Sequence, residues 1–194
     1  MFMTVLLAAS LAAPVPKEKA VLYFPTAVGA KRVLETTKGG KTSETTDVVT
    51  KVEEKDGVFT VTTEWGGGGR QLTTRVFEVS AGKVRQVEET VGREGMPLDR
   101  TIIDLGVKAG DGWTQEFEVL GRKVVHTFTV GKEEEVEVPA GKFKAIPVTE
   151  ETNTKKHTRW LAAGVGLVKE EQEWMKSKTV TVLKEFTPGT NPKK

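Results

Sequence analysis

The sequence predicts an all-β fold, a single antiparallel, strongly curved sheet of about ten or more strands that forms an open half-barrel or a barrel-like structure. Apolar and polar residues alternate with a period of two, as in GVFTVTTEW (57–65) and KTVTVLKEF (178–186). Val and Thr, which favour strands, are frequent in these runs. Turn pairs such as Asp56-Gly57 and Ala140-Gly141 separate neighbouring runs and predict hairpins.

Each run bounded by turn signals is a predicted strand. The predicted strands are 20–24, 31–38, 42–54, 57–65, 70–80, 83–91, 99–105, 113–120, 122–138, 142–151, 157–162, 166–175 and 178–187. No linker or change of composition divides them, so residues 20–187 are expected to form one antiparallel β domain. Residues 188–194 are rich in Pro, Gly and Lys and are predicted to be a disordered tail.

The N-terminal stretch MFMTVLLAASLAAPVP is typical of a secretory signal. Its apolar run of roughly 15 residues is shorter than the about 20 that a membrane-spanning helix needs. Residues 1–12 are therefore predicted to be a signal peptide, cleaved near Ala12, and the mature chain is expected to be periplasmic or extracellular, without a transmembrane segment. No Lys or Arg precedes the run, which leaves open a short apolar strand of a cytosolic protein.

The composition excludes several classes of site. The chain has no cysteine, which rules out disulfides, thiolate metal sites and thiol nucleophiles. The 29 Lys and Arg residues nearly balance the 27 Asp and Glu residues and are spread along the chain. Because nucleic-acid binding needs a clustered basic surface, no nucleic-acid partner is expected.

The stretch WLAAGVGLVKEEQEW (160–174) combines small apolar residues, two glycines and a run of acid. A helix through Gly164 and Gly166 would lose about 1 kcal/mol per glycine relative to alanine. A tight turn loses nothing there, because glycine adopts positive φ freely. We therefore predict that one strand ends at Trp160-Leu161 and that the next begins at Leu167.

The four tryptophans and one glycine-rich loop supply the candidate binding residues. The stretch WGGGGR (65–70) predicts a connection between strands and, in a functional interpretation, a flexible lip beside a binding site. Large aromatic groups are expected on the concave face of the sheet, which no predicted helix covers. An open apolar face would be a binding groove. The candidate ligand-binding residues are Trp65, Arg70, Trp113, Trp160 and Trp174.

No arrangement of residues indicates catalysis, a metal or a cofactor. His126 lies among apolar residues and is expected to be a satisfied core histidine, whereas His157 follows two lysines and is expected to be exposed. No serine lies in a nucleophile-elbow pattern. The acidic groups 133–135, 150–151 and 170–173 lack calcium-loop spacing and are expected on a solvated face. We therefore predict no catalytic residue, metal or cofactor.

Four segments carry a resemblance to a known family: YFPTAVGAKRVLET from Tyr23, GDGWTQEF from Gly110, VPAGKFKAIPV from Val138 and TRWLAAGVGLVKEE from Thr158. Over residues 21–187 the chain resembles exported bacterial proteins with a DUF3108-like, or TapB-type, domain. The resemblance implies a curved antiparallel sheet similar to the open half-barrels of periplasmic lipoprotein carriers, and it implies no catalytic residues. Many such proteins carry a lipid-anchor cysteine, whose absence here favours a free soluble form.

These observations together predict an exported, non-enzymatic β domain. Its concave face is expected to bind an apolar ligand, lipid or lipoprotein-like, or a protein partner such as an envelope protein. A structural or envelope-interaction module without a small-molecule ligand is one alternative. A hydrolase that uses scattered carboxylates is another.

Overall fold

A computed structural model describes residues 21–67, 69–92, 94–106, 109–119, 122–175 and 177–190. The strands are β1 (Lys31–Lys38), β2 (Lys41–Lys55), β3 (Val58–Gly67), β4 (Arg70–Ser80), β5 (Lys83–Val91), β6 (Glu94–Asp104), β7 (Gly112–Val119), β8 (Arg122–Val130), β9 (Glu134–Val138), β10 (Gly141–Glu151), β11 (Lys155–Ala162), β12 (Gly166–Trp174) and β13 (Ser177–Thr187). All their pairings are antiparallel, so the predicted all-β fold is confirmed. Within the described ranges no helix is long and apolar enough to cross a membrane.

The strands form one curled sheet whose two ends approach each other. The strand order is β6-β5-β4-β3-β2-β1-β13-β12-β11-β10-β8-β7, and β9 pairs with β10 beside this path. Among the described residues no backbone ladder joins β6 to β7. The Gln115 side chain of β7 spans this gap: its Oε1 accepts a hydrogen bond from the Thr101 N–H at 3.3 Å, and its Nε2 donates to the Asp99 carbonyl. The predicted strongly curved, barrel-like sheet is confirmed.

Residues 21–25 close one end of the concave side. The Val21 carbonyl accepts a hydrogen bond from Gly82 N–H at 3.2 Å, and the Leu22 carbonyl accepts one from Gly164 N–H at 2.7 Å. The strand predicted at 20–24 is wrong for residues 21–24, because these residues bond to two separate turns rather than to one neighbouring strand. The inner core that they complete consists of Tyr23, Phe24, Ala30, Val49, Val61, Phe77, Val79, Val84, Ile103, Phe128, Val148 and Leu161.

A second core, called the outer core below, lies where β9 packs against β12 and β13. This outer core consists of Leu34, Val136, Val138, Ala145, Ala162, Val165, Val168 and Leu183. The single strand predicted at 122–138 is wrong, because residues 131–133 separate β8 from β9. Pro147 of β10 explains the break: it has no N–H for the ladder, and its carbonyl instead accepts a hydrogen bond from Gly131 N–H at 2.8 Å.

Two of the predicted boundaries lie at the chain termini. The predicted signal peptide, residues 1–12, lies outside the described residues, as do residues 191–194 of the predicted tail. Within that tail, Thr190 N–H donates a hydrogen bond to the Val28 carbonyl at 3.0 Å. Residues 188–190 therefore continue past β13 toward the segment that precedes β1.

The glycines of residues 160–174 form a turn between β11 and β12, as predicted. Gly164 and Gly166 have φ angles of +70° and +80°, in the left-handed region. A Cβ at Gly164 would meet no atom within 4 Å, whereas one at Gly166 would collide with Nη1 of Arg32. Nη1 of Arg32 donates to the Val165 carbonyl at 3.2 Å, so this guanidinium is held against the turn.

Replacing Gly166 by alanine is expected to lower the free energy of unfolding by about 2–4 kcal/mol, since alanine is strained at positive φ and displaces a buried, hydrogen-bonded guanidinium. The matched change Gly164→Ala adds only the backbone strain, and its cost is expected to be about 1 kcal/mol. Urea unfolding of both variants measures the difference. Equal losses for the two variants would contradict this account of the turn.

Candidate functional site

A cavity of about 390 Å³ lies on the concave side of the sheet, against the inner core. Its volume falls in the range of small-molecule sites. One part of its wall is apolar and consists of Tyr23, Phe24, Leu34, Trp65, Phe77, Val84, Ile102, Leu161 and Leu167. The charged and amide part consists of Arg32, Asp47, Arg75, Gln86, Glu89, Arg100, His157, Arg159, Glu170 and Gln172. The cavity is therefore amphipathic.

A fully buried carboxylate, Glu150 of β10, organises the polar wall; its exposed fraction is 0%. Its Oε2 accepts hydrogen bonds from Nη2 of Arg100 in β6 at 2.8 Å and from Nη2 of Arg159 in β11 at 2.7 Å. Its Oε1 lies 2.7 Å from Nδ1 of His126 in β8. One carboxylate thus connects strands near both ends of the strand order.

The side chain of His157 joins Glu150's partner Arg159 to a second carboxylate. Nδ1 of His157 lies 2.9 Å from Nη2 of Arg159 and 3.6 Å from Oε2 of Glu150. Nε2 of the same ring forms a hydrogen bond with Oε1 of Glu170 in β12. The prediction of an exposed His157 is wrong: it is 5% exposed, because the period of two places it on the concave face with Arg159.

The expectation that the acidic groups form a solvated face is wrong for Glu150 and Glu170, which lie on the concave face. Burial alone would raise the pKa of Glu150, but the neighbouring His157, Arg159 and Arg100 outweigh burial and hold its pKa well below the ordinary value. Burial is likewise outweighed at Glu170, whose pKa is lowered by its hydrogen bond to His157 and by nearby positive charge. Both carboxylates are therefore ionised at neutral pH.

A second buried ion pair lines the cavity near the N-terminal segment. Nη2 of Arg32 in β1 bonds to Oδ2 of Asp47 in β2, and both side chains are less than a tenth exposed. The Arg32 guanidinium also lies over the Phe24 ring, 4.8 Å from its centroid. This pair ties the cavity wall to residues 21–25 and to the glycine turn at Val165.

Two buried polar atoms in the cavity wall have no hydrogen-bond partner among the described residues: Nη1 of Arg159 and Oδ1 of Asp47. Arg159 and Asp47 are each 7% exposed. An unpaired buried polar group costs about 1–3 kcal/mol, and more when it is charged. The residues that line the cavity thus include one donor and one acceptor without a described partner. In the described ranges no three His, Asp or Glu side chains are arranged so that they could hold a metal ion.

The predicted ligand-binding residues do not converge on one site. Trp65 lines the cavity, where the Arg75 guanidinium lies 4.5 Å from its ring centroid. Trp113 stacks on the inner-core residue Phe128, with centroids 4.8 Å apart. The remaining three take other positions: Trp160 packs with the outer core, Trp174 is 54% exposed at the end of β12, and Arg70 begins β4. Ligand binding by these five residues stays a prediction.

The sequence reasoning missed the charged residues of the concave face. Alternation places His157, Arg159 and Leu161 on one side of β11, and Val148 and Glu150 on one side of β10. A charged residue that shares the face of a strand with apolar residues is a usable sequence signal. Such a charge must either be buried with a partner or line a cavity.

Replacing Glu150 by glutamine is expected to destabilise the protein by about 3–5 kcal/mol at neutral pH, since it leaves the buried Arg159 and the partly exposed Arg100 without their carboxylate. The folded-state pKa of Glu150 lies below its ordinary value of 4.5, so its contribution is complete above that pH and is lost as the pH falls further. The variant should therefore show a flatter pH dependence of unfolding below about pH 5.

The matched control is Glu151→Gln, since Glu151 is exposed and pairs with exposed Lys156 at 3.0 Å. Its cost is expected to be below about 1 kcal/mol. Denaturant unfolding at several pH values checks both variants. Similar losses for Glu150→Gln and Glu151→Gln would show that the buried cluster does not stabilise the fold as described.

Comparisons with known proteins agree with this architecture. A crystal structure of a protein assigned as a lipoprotein from Parabacteroides distasonis is 16% identical, has a TM-score of 0.58, and matches over 88% of this chain and 100% of its own. A protein from Bacteroides fragilis, assigned as an exported protein with a YmcC-like fold, is 15% identical, with a TM-score of 0.62 and coverages of 86% and 99%. At these identities the likeness is one of fold.

A comparison with curated protein sequences gave no match. The family model of the DUF3108-like domain matches residues 86–182, which is half of the chain. The match runs from β5 to β13 and includes every strand that carries Glu150 or one of its bonded partners. The chain therefore belongs to the DUF3108-like family.

Proposed function

We propose that this chain is an exported, non-catalytic domain that binds a small amphipathic ligand in the cavity on its concave face. The observation that carries the proposal is the combination of an apolar wall with two buried, unpartnered polar atoms, Nη1 of Arg159 and Oδ1 of Asp47. A bound molecule that pairs with these atoms removes their desolvation cost. The apolar N-terminal run, and the fold shared with proteins assigned as exported, support export.

The lining favours an amphipathic ligand over a wholly apolar one. Its aromatic and aliphatic side chains suit a hydrocarbon group, while Arg159 suits a carboxylate or another anionic acceptor. The other arginines of the wall are already paired: Arg32 with Asp47, Arg75 with Glu89, and Arg100 with Glu150. A single anionic head group on a hydrocarbon chain, as in a fatty acid, therefore matches the cavity better than a polyanion does.

The same cluster argues against a carboxylate-dependent hydrolase. A general acid needs a pKa raised toward neutrality, whereas the pKa values of Glu150 and Glu170 are lowered. Glu150 is also enclosed by its donors at 0% exposure and cannot contact a substrate in this arrangement. These groups support a binding role.

Native mass spectrometry and titration with a fluorescent fatty acid test the proposal. The chain is expected to carry a lipid-sized adduct and to take up the fatty acid. A fatty acid should bind about 10–100-fold more tightly than its methyl ester, because a charge-assisted hydrogen bond to Arg159 contributes about 1.5–3 kcal/mol. Identical masses before and after delipidation, together with no fatty-acid uptake, would rule the proposal out.

A variant that fills the cavity tests whether the fatty acid binds there. Thr179 of β13 lines the cavity, so Thr179→Trp should fill it and abolish fatty-acid uptake. Val180→Trp places the same side chain on a neighbouring residue, which lies on the other face of the strand and should leave uptake unchanged. Equal uptake by both variants would place the ligand elsewhere. An absence of any ligand would favour a structural or envelope-interaction module.

A further inference from the structure

Two neighbouring hairpin tips form a surface with the composition of a membrane-contact site. The β1–β2 tip carries Lys38 and Lys41, which face each other across the turn. The β12–β13 tip carries Trp174, Met175 and Lys178. The tips are adjacent because β1 pairs with β13, with Lys38 opposite Thr179. These five residues are called the basic rim below.

Three residues of the basic rim line a depression that shares part of its wall with the cavity. The depression has a volume of about 440 Å³, and Lys38, Lys41 and Trp174 line it together with the hydroxyls of neighbouring residues. Thr36, Gln172 and Thr179 line both the depression and the cavity. The rim therefore lies at the mouth of the cavity, opposite the end that residues 21–25 close.

The apolar residues of the rim are exposed to solvent, and one of them has a strained backbone conformation. Trp174 is 54% exposed and Met175 is 80% exposed, so neither contributes much to a core. Met175 has a φ of +54°, a conformation that non-glycine residues rarely adopt. A strained turn that presents a tryptophan and a methionine to solvent points to a surface that contacts another apolar phase.

The lysines of the rim indicate that this apolar phase is a membrane with an anionic surface. Lys38 and Lys41 form no ion pair with a described carboxylate, and Lys178 shares Glu171 with Lys169. Tryptophan favours the membrane–water interface, and lysines close to it are attracted to anionic lipid head groups. We propose that the basic rim binds an anionic phospholipid surface, with the mouth of the cavity facing the bilayer. This contact does not require a ligand in the cavity.

Sedimentation with lipid vesicles tests the proposal, using the full chain so that every variant carries the same N-terminus. The chain is expected to bind phosphatidylcholine vesicles that contain phosphatidylglycerol more tightly than phosphatidylcholine alone, and less tightly as salt is added. Lys38→Gln with Lys41→Gln should weaken binding about thirtyfold, because each lysine near an anionic surface contributes about 1 kcal/mol. Trp174→Ser should weaken it about tenfold.

Control variants remove two lysines or one exposed apolar residue at positions outside the rim. Lys142→Gln with Lys144→Gln removes two exposed lysines of β10, and Val58→Ser removes an exposed apolar residue at the β2–β3 turn. Both should bind vesicles as the unaltered chain does, and circular dichroism should show that all variants fold. Unchanged binding by the rim variants would overturn the proposal. So would equal binding to neutral vesicles, or self-association through the rim without vesicle binding.

Discussion

The edges of the curled sheet meet through side chains, and the cavity depends on this contact. Edge strands expose backbone N–H and C=O groups that need partners. At the meeting of β6 and β7, Gln115 supplies both an acceptor and a donor, to Thr101 and Asp99. Behind it, Arg100 of β6 bonds to the buried carboxylate of Glu150 in β10. Without these contacts the described residues provide no hydrogen bonds that hold β6 against the far end of the strand order, and the concave side would open.

The same contacts make the interior polar. A buried ion pair can often be replaced by apolar residues of similar volume without loss of stability, so stability alone gives little reason to retain one. Here the donors of Glu150 come from three different strands, and one of them, Arg159, keeps an unpartnered nitrogen in the cavity wall. The cluster thus joins the sheet edges and supplies a polar anchor beside an apolar wall. Because the cluster has both roles, the concave side is partly polar, whereas the positions of the tryptophans predicted an apolar groove.

Local patterns were sufficient to predict most strands and hairpins. The Asp56-Gly57 turn and the glycines near Val165 occur where the sequence indicates them, because positive φ is a requirement of single residues. The cluster could not be predicted in this way. Arg100 and Glu150 are 50 residues apart, and only the curling of the sheet brings them together. The break between β8 and β9 also depends on a distant residue, Pro147, in the partner strand.

Amide hydrogen exchange at Thr101 tests the side-chain closure most directly. Its N–H is bonded to Gln115, so it should be protected in the unaltered chain and exchange at least about tenfold faster in Gln115→Ala, the loss expected for a hydrogen bond of about 1.4 kcal/mol. Amides in the β1–β2 ladder should keep their rates. Protection of Thr101 that persists without the Gln115 side chain would contradict the account, since it would mean that the two edges are joined in another way.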